Sequence, residues 1–272
     1  MTTVMAAAVG CSSSGAVGAG GQLDLKTVTA AQAVKAREQA AVAKHTVRFH
    51  STTTAKRFTQ TLDGVERTDQ NEQDMTVETR VTGAQESVHG ELRAVGGVAY
   101  LDDSGLPAQY RQDKKWIKFD LSHPPSANSG SPGAALLANL GDIYAHADPR
   151  QKDLFPLAFP DLHRVGVETR DGHQVLHVAG SAAPDALAAT PPDGSGLTQD
   201  YLDFRRRSAK TDSLTKIGVD MWIGADGLPV AFTETDTGPD GDMVITETIG
   251  QWGTSLTVTA PPAADVYTPP SS

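Results

Sequence analysis

Three groups of residues have the types that could do chemistry. His173 and His177 are four apart, just after the turn signal Asp171-Gly172. On a strand that spacing puts them about 13 Å apart along one face, too far to share a metal. Asp236, Asp240 and Asp242 with Gly241 have the acid density of a calcium loop. The ligand order and closing Glu of such a loop are missing, and a hairpin turn accounts for the residues equally well. Arg205-Arg206-Arg207 could hold the phosphate of a lipid headgroup. The run also suits the solvated end of a helix, where the macrodipole favours cations. The chain contains no Gly-x-Ser-x-Gly elbow, Gly-rich phosphate loop, His-Glu-x-x-His or Cys-x-x-Cys. We therefore expect no catalytic residues, no metal and no cofactor.

Charge narrows the remaining classes. The 272 residues carry a net charge of −10, which disfavours nucleic acid and a polybasic membrane-surface mode. Cys11 is the single cysteine, so an internal disulfide is impossible. Residues 1–21 carry no charge, and Val4–Gly10 is a short apolar run. About ten residues cannot span a bilayer, which needs roughly 20, but they match the core of a secretion signal. Ala8-Val9-Gly10-Cys11 resembles a bacterial lipobox, with Ala8 where such boxes usually carry Leu. The resemblance implies that the Cys11 thiol takes a diacylglyceryl group and that cleavage frees its amine. At about 0.8 kcal/mol per buried CH₂, two or more long chains hold where one does not. A chance cysteine in an Ala-rich tail is the alternative.

The rest must be a scaffold, and its grammar is mostly β. Ile217–Val258 reads as three strands: Val219, Met221 and Ile223 alternate with polar residues, as do Val230 and Phe232, and Met243, Ile245 and Ile249 share one parity. Asp226-Gly227 and Asp240-Gly241 separate them, and Asp-Gly is a strong hairpin signal. The same pair at Asp63-Gly64 and Asp171-Gly172 predicts two more turns, the first closing a strand over 56–62. Val47 and Phe49, then Met75, Val77 and Val81, then Val88 and Leu92, alternate likewise. Ile117, Phe119 and Leu121 point inward, with Trp116, Lys118 and Asp120 outward. Such contrast means one face is wet. Thr29-Ala-Ala-Gln32 fits a capping box opening a helix through Lys44. Leu136, Leu137, Leu140, Ile143 and Tyr144 have helical spacing after the Pro/Ser/Gly stretch 122–133. Residues 149–164, with three prolines, read as irregular, and Leu197, Tyr201 and Phe204 mark a short helix ending at Arg205–Arg207.

Gly97-Val-Ala-Tyr-Leu101, Lys115-Trp-Ile-Lys118, Gly166-Val-Glu-Thr-Arg-Asp-Gly172 and Met221-Trp-Ile-Gly-Ala-Asp-Gly-Leu-Pro229 follow one another along the chain. With the lipobox, they resemble actinobacterial lipoproteins of the LppX/LprAFG type, in the LolA/LolB-like superfamily. The resemblance implies an α+β fold, mainly β: a strongly curved antiparallel sheet, a half-barrel, with helices packed in its concave face. It also implies a lipid or glycolipid ligand between sheet and helices, and no catalytic residues. We expect a signal peptide over 1–10, a lipidated Cys11 and flexible tether over 11–21, one domain over 22–266 and a tail over 267–272. Candidates for the cavity lining, by parity, are Val47, Phe49, Val77, Val81, Leu92, Ile117, Phe119, Leu140, Ile143, Val219, Met221 and Phe232. The leading expectation is a monomeric lipid-binding carrier or chaperone anchored through Cys11 to the outer face of the cell membrane. The alternative is a surface sensor or scaffold with a filled core that binds a protein partner. A hydrolase comes third.

Overall fold

The structure is a computed structural model, and it describes residues 22–69, 72–103, 112–120 and 148–268. Cys11, the residues expected as a tether, Leu121, the 122–133 stretch and the helix expected around Leu136, Leu140, Ile143 and Tyr144 fall outside the described residues.

The chain builds one twelve-stranded, open, curved sheet from two meanders. The first runs through β1 (Thr46–Thr54), β2 (Phe58–Arg67), β3 (Glu72–Val81), β4 (Val88–Val95), β5 (Val98–Asp103) and β6 (Trp116–Asp120). The second runs through β7 (His163–Arg170), β8 (His173–Ala182), β9 (Lys216–Gly224), β10 (Pro229–Gly238) and β11 (Gly241–Gly250). They join where β1 pairs antiparallel with β11. A short β12 (Val266–Tyr267) adds itself parallel to β6. The described helices are α1 (Ala30–Lys44), α2 (Pro149–Leu154) and α3 (Gln199–Thr211), with a 3-10 turn over Phe155–Ala158. This is the mainly β, α+β arrangement expected of the sequence.

The turns follow their residues. Asp171 and Gly172 both have positive φ (49° and 79°) and close β7–β8, the conformation a two-residue hairpin loop needs. Asp63-Gly64 does not turn: β2 runs straight through it to Arg67. Gly64 serves a close approach instead. It faces Phe49 and Met75 across the sheet, and a Cβ there would stand 2.7 Å from the Met75 Cβ and 2.9 Å from the Phe49 ring. The missing side chain lets the Phe49 ring lie over β2.

The α1 capping box forms with both bonds: Gln32 N donates to Thr29 Oγ1 (3.2 Å) and Thr29 N to Gln32 Oε1 (3.0 Å). The helix buries Ala30, Ala33, Val34, Arg37 and Ala41, so its inward stripe contains a charge. Elsewhere three expectations are corrected. Residues 149–158 are helical, because Asp148 accepts from Arg150 N (2.9 Å) and Pro149 suits a first turn. The helix α3 continues past Arg207 to Thr211, carried by the buried Ala209. Trp116 faces outward as its parity requires but is only 3% exposed, because Arg93 and Lys115 lie over its ring at 4.9 and 5.2 Å.

Among the described residues the apolar core divides in two. Leu176, Val178, Val219, Met221, Ile223 and Phe232 on β8–β10 pack with Val34, Leu154, Phe155, Tyr201 and Leu202 of the helical layer. Leu92, Ala99, Leu101, Ile117 and Phe119 form a smaller cluster on β4–β6, joined by Met75 and Tyr267.

Candidate functional site

Between these two cores the inner face of the sheet is different in kind. Register and parity put Ser51, Thr53, Gln60, Glu66 and Gln73 of β1–β3, Ile245 and Glu247 of β11, and Phe232 and Glu234 of β10 on the same side. They line a half-open cavity of about 350 Å³, bordered on the helical side by Pro149, Lys152, Tyr201 and Arg205. Its apolar wall is Phe49, Leu62, Met75, Phe232 and Ile245. Ligand pockets run from roughly 300 to 1,000 Å³, so this one has room for a single chain with a small head.

Three ion pairs edge or underlie the cavity. Arg205 Nη2 donates to Glu234 Oε1 at 2.6 Å, and its guanidinium lies 4.3 Å from the Phe155 ring centre. Arg37 Nη2 meets Asp153 Oδ1 at 2.7 Å, and Nη1 faces the Met221 sulfur at 3.8 Å. Lys152 Nζ pairs with Glu247. Both Arg37 and Lys152 approach the Phe232 ring, at 5.9 and 5.5 Å from its centre. Burial opposes the Lys152 and Arg205 charges, but the partner carboxylates outweigh it and raise both pKa values above their usual range. Burial also pushes the Asp153 carboxyl up, against the pull of Arg37 and Lys152.

Two acids are left over. Glu66 lines the cavity, and burial, reinforced by Glu247, lifts its pKa to about 8. Among the described residues Glu66 has no hydrogen-bond or ion-pair partner. Asp236 is 6% exposed, its Oδ1 meets no donor, and burial with the Glu234 charge lifts its pKa to about 7.

The parity candidates distribute unevenly. Phe49 and Phe232 line the cavity. Val47, Leu92, Ile117, Phe119, Val219 and Met221 are buried. Val77 is half-buried, and Val81, at the end of β3, is 45% exposed. Leu140 and Ile143 lie outside the described residues. The charged groups around the cavity were not among the candidates. Their signal was present: Glu247 shares parity with Ile245 and Ile249, Glu234 with Phe232, and Arg37 falls on the α1 stripe.

The other polar groups do not converge. Asp236 is inside, while Asp240 sits at the exposed turn near Arg57 (3.4 Å). Of the arginine run, Arg205 enters the cavity and Arg206 donates to the carbonyls of Leu187, Ala188 and Ala189. His177 lies on the outer face, its ring nitrogens 2.7 Å from Glu168 Oε1 and 2.7 Å from Asp220 Oδ1, stacked on Trp222.

No family model and no curated protein matches the chain. Among solved structures it is similar to LprF from Mycobacterium bovis, at 13% identity and a TM-score of 0.42, covering 85% of this chain and 96% of that one. It is also similar to the Mycobacterium tuberculosis lipoprotein LppX, at 13% identity and a TM-score of 0.46, covering 85% of this chain and 98% of that one.

Proposed function

We propose that this chain is a cell-envelope lipoprotein that holds a ligand with an apolar chain between its sheet and its helices, as a carrier or chaperone and not as an enzyme. The observation that carries this reading is the cavity of about 350 Å³. Phe49, Leu62, Met75, Phe232 and Ile245 offer it an apolar wall, and Lys152 and Arg205 limit it on the helical side. In this reading Cys11 is the anchor: its acyl chains hold the folded body at the outer face of the membrane, and residues 12–21 are the tether.

Two experiments test the proposal. Native mass spectrometry of protein purified from its own host, followed by organic extraction, should recover a bound amphiphile. Protein free of ligand that also takes up no apolar probe would contradict the carrier reading. Separately, Cys11→Ser, expressed with the native upstream sequence, should move the protein to the soluble fraction. Retention in the membrane would contradict the anchor.

A further inference from the structure

The ionisable groups around the cavity do not pair off, and the excess is of carboxyls. The described residues supply three cations, Arg37, Lys152 and Arg205, and five carboxyls, Glu66, Asp153, Glu234, Asp236 and Glu247. The cations are matched one to one, with Asp153, Glu247 and Glu234 respectively. Glu66 and Asp236 remain, and Glu66 is the one that lines the cavity. We propose that the cavity selects a ligand whose polar head is a cation, an amine or guanidinium on an apolar chain, and that Glu66 is its counter-ion.

The proposal rests on the ligand-binding reading above and deepens it. An anionic head would have to take Lys152 from Glu247 or Arg205 from Glu234. Either exchange leaves a carboxylate buried without its partner, which costs more than the new pair returns. A neutral head gains one hydrogen bond at Glu66. An ammonium gains an ion pair with a carboxylate that no described side chain pairs, in a cavity that Phe49 and Phe232 also line. The groups that set the potential at Glu66 are Glu247 on β11, Lys152 and Asp153 on α2 and Arg37 on α1. With a pKa of about 8, Glu66 is mostly protonated at neutral pH. Ionising it costs about a factor of ten, and the incoming cation takes the place of the departing proton. The proton leaves to solvent. The overall charge of −10 favours the approach of a cation from outside.

The test compares three probes of equal chain length, decylamine, decanol and decanoate, by titration calorimetry near pH 7 in two buffers of different ionisation enthalpy. Decylamine should bind at least about tenfold more tightly than decanol, with decanoate weakest. Decylamine should also release about one proton on binding. In Glu66→Gln, which mimics the protonated acid in shape, decylamine should lose its preference over decanol and its binding should release no proton. Decanoate binding tightest, equal binding of all three, or amine binding that releases no proton or ignores Glu66→Gln would overturn the cation proposal and leave the cavity a ligand site. Failure of all three probes to bind would overturn the ligand-binding reading, and this proposal with it.

Discussion

Two stretches of one inner face, a few strands apart, have opposite characters. On β8 and β9 the inward residues Leu176, Val178, Val219, Met221 and Ile223 are all buried and covered by helices. On β10, β11, β1 and β2 the same alternation delivers Phe232, Glu234, Asp236, Glu247, Ser51, Thr53 and Glu66, and a void opens above them. Alternation decides which face a residue takes. What it meets there is decided by the layer above. Over β8–β9 that layer offers Val34, Phe155 and Leu202; over the cavity it offers Lys152 and Arg205. The first region is a packed core, and the second leaves a half-open cavity.

The largest expected effect comes from the charged side of this comparison. Arg205→Met leaves Glu234 buried without its partner and should destabilise the fold by about 3–5 kcal/mol, read by denaturant unfolding. The double variant with Glu234→Leu should recover most of that loss. If Arg205→Met costs nothing, the pair is not held as described.

The packed side comes next. Met221→Ala should cost about 2–5 kcal/mol, because the site cannot collapse around the missing atoms. Leu62→Ala, which removes a wall already facing empty space, should cost clearly less. Equal losses would mean that the two regions are packed alike.

A third, smaller effect concerns pH. Burial raises the folded-state pKa values of Glu66 to about 8 and of Asp236 to about 7, so the folded protein keeps protons that the unfolded chain releases. Their contribution is favourable at pH values below the ordinary carboxylate range and is lost as pH rises through those folded values. Thermal midpoints should therefore fall between about pH 5 and about pH 9, and Glu66→Gln should flatten the slope. An unchanged slope in that variant would place the titration elsewhere. Smaller still, Thr29→Ala should cost about 1 kcal/mol by removing the α1 cap, without touching either region.

The sequence made most of the frame readable for local reasons. The capping box at Thr29 and the Asp171-Gly172 turn are written in a few neighbouring residues, and both form. Asp63-Gly64 has the same local text, but Phe49 and Met75 on neighbouring strands claim Gly64 for their own packing, which no local pattern reveals. Trp116 is likewise buried by Arg93, a residue distant in sequence. The cavity was half legible. Phe49 and Phe232 follow from parity, and Glu234 and Glu247 share it, but Glu66 lies past Asp63-Gly64, where the pattern predicts a turn and the strand instead continues. Glu247 and Glu234 are inside because Lys152 and Arg205 arrive from helices far along the chain. Lys152 falls in a stretch that its prolines made look irregular.

On the proposed function, the polar half of the inner face takes a ligand and the apolar half does not. The most direct measurement is a fluorescence titration of N-phenylnaphthylamine into protein refolded from denaturant, compared with Ile245→Trp, which fills the cavity, at matched thermal stability. The account predicts saturable uptake by the native chain and at least about tenfold weaker uptake by the variant. No uptake by the native chain, or equal uptake by both, would contradict it.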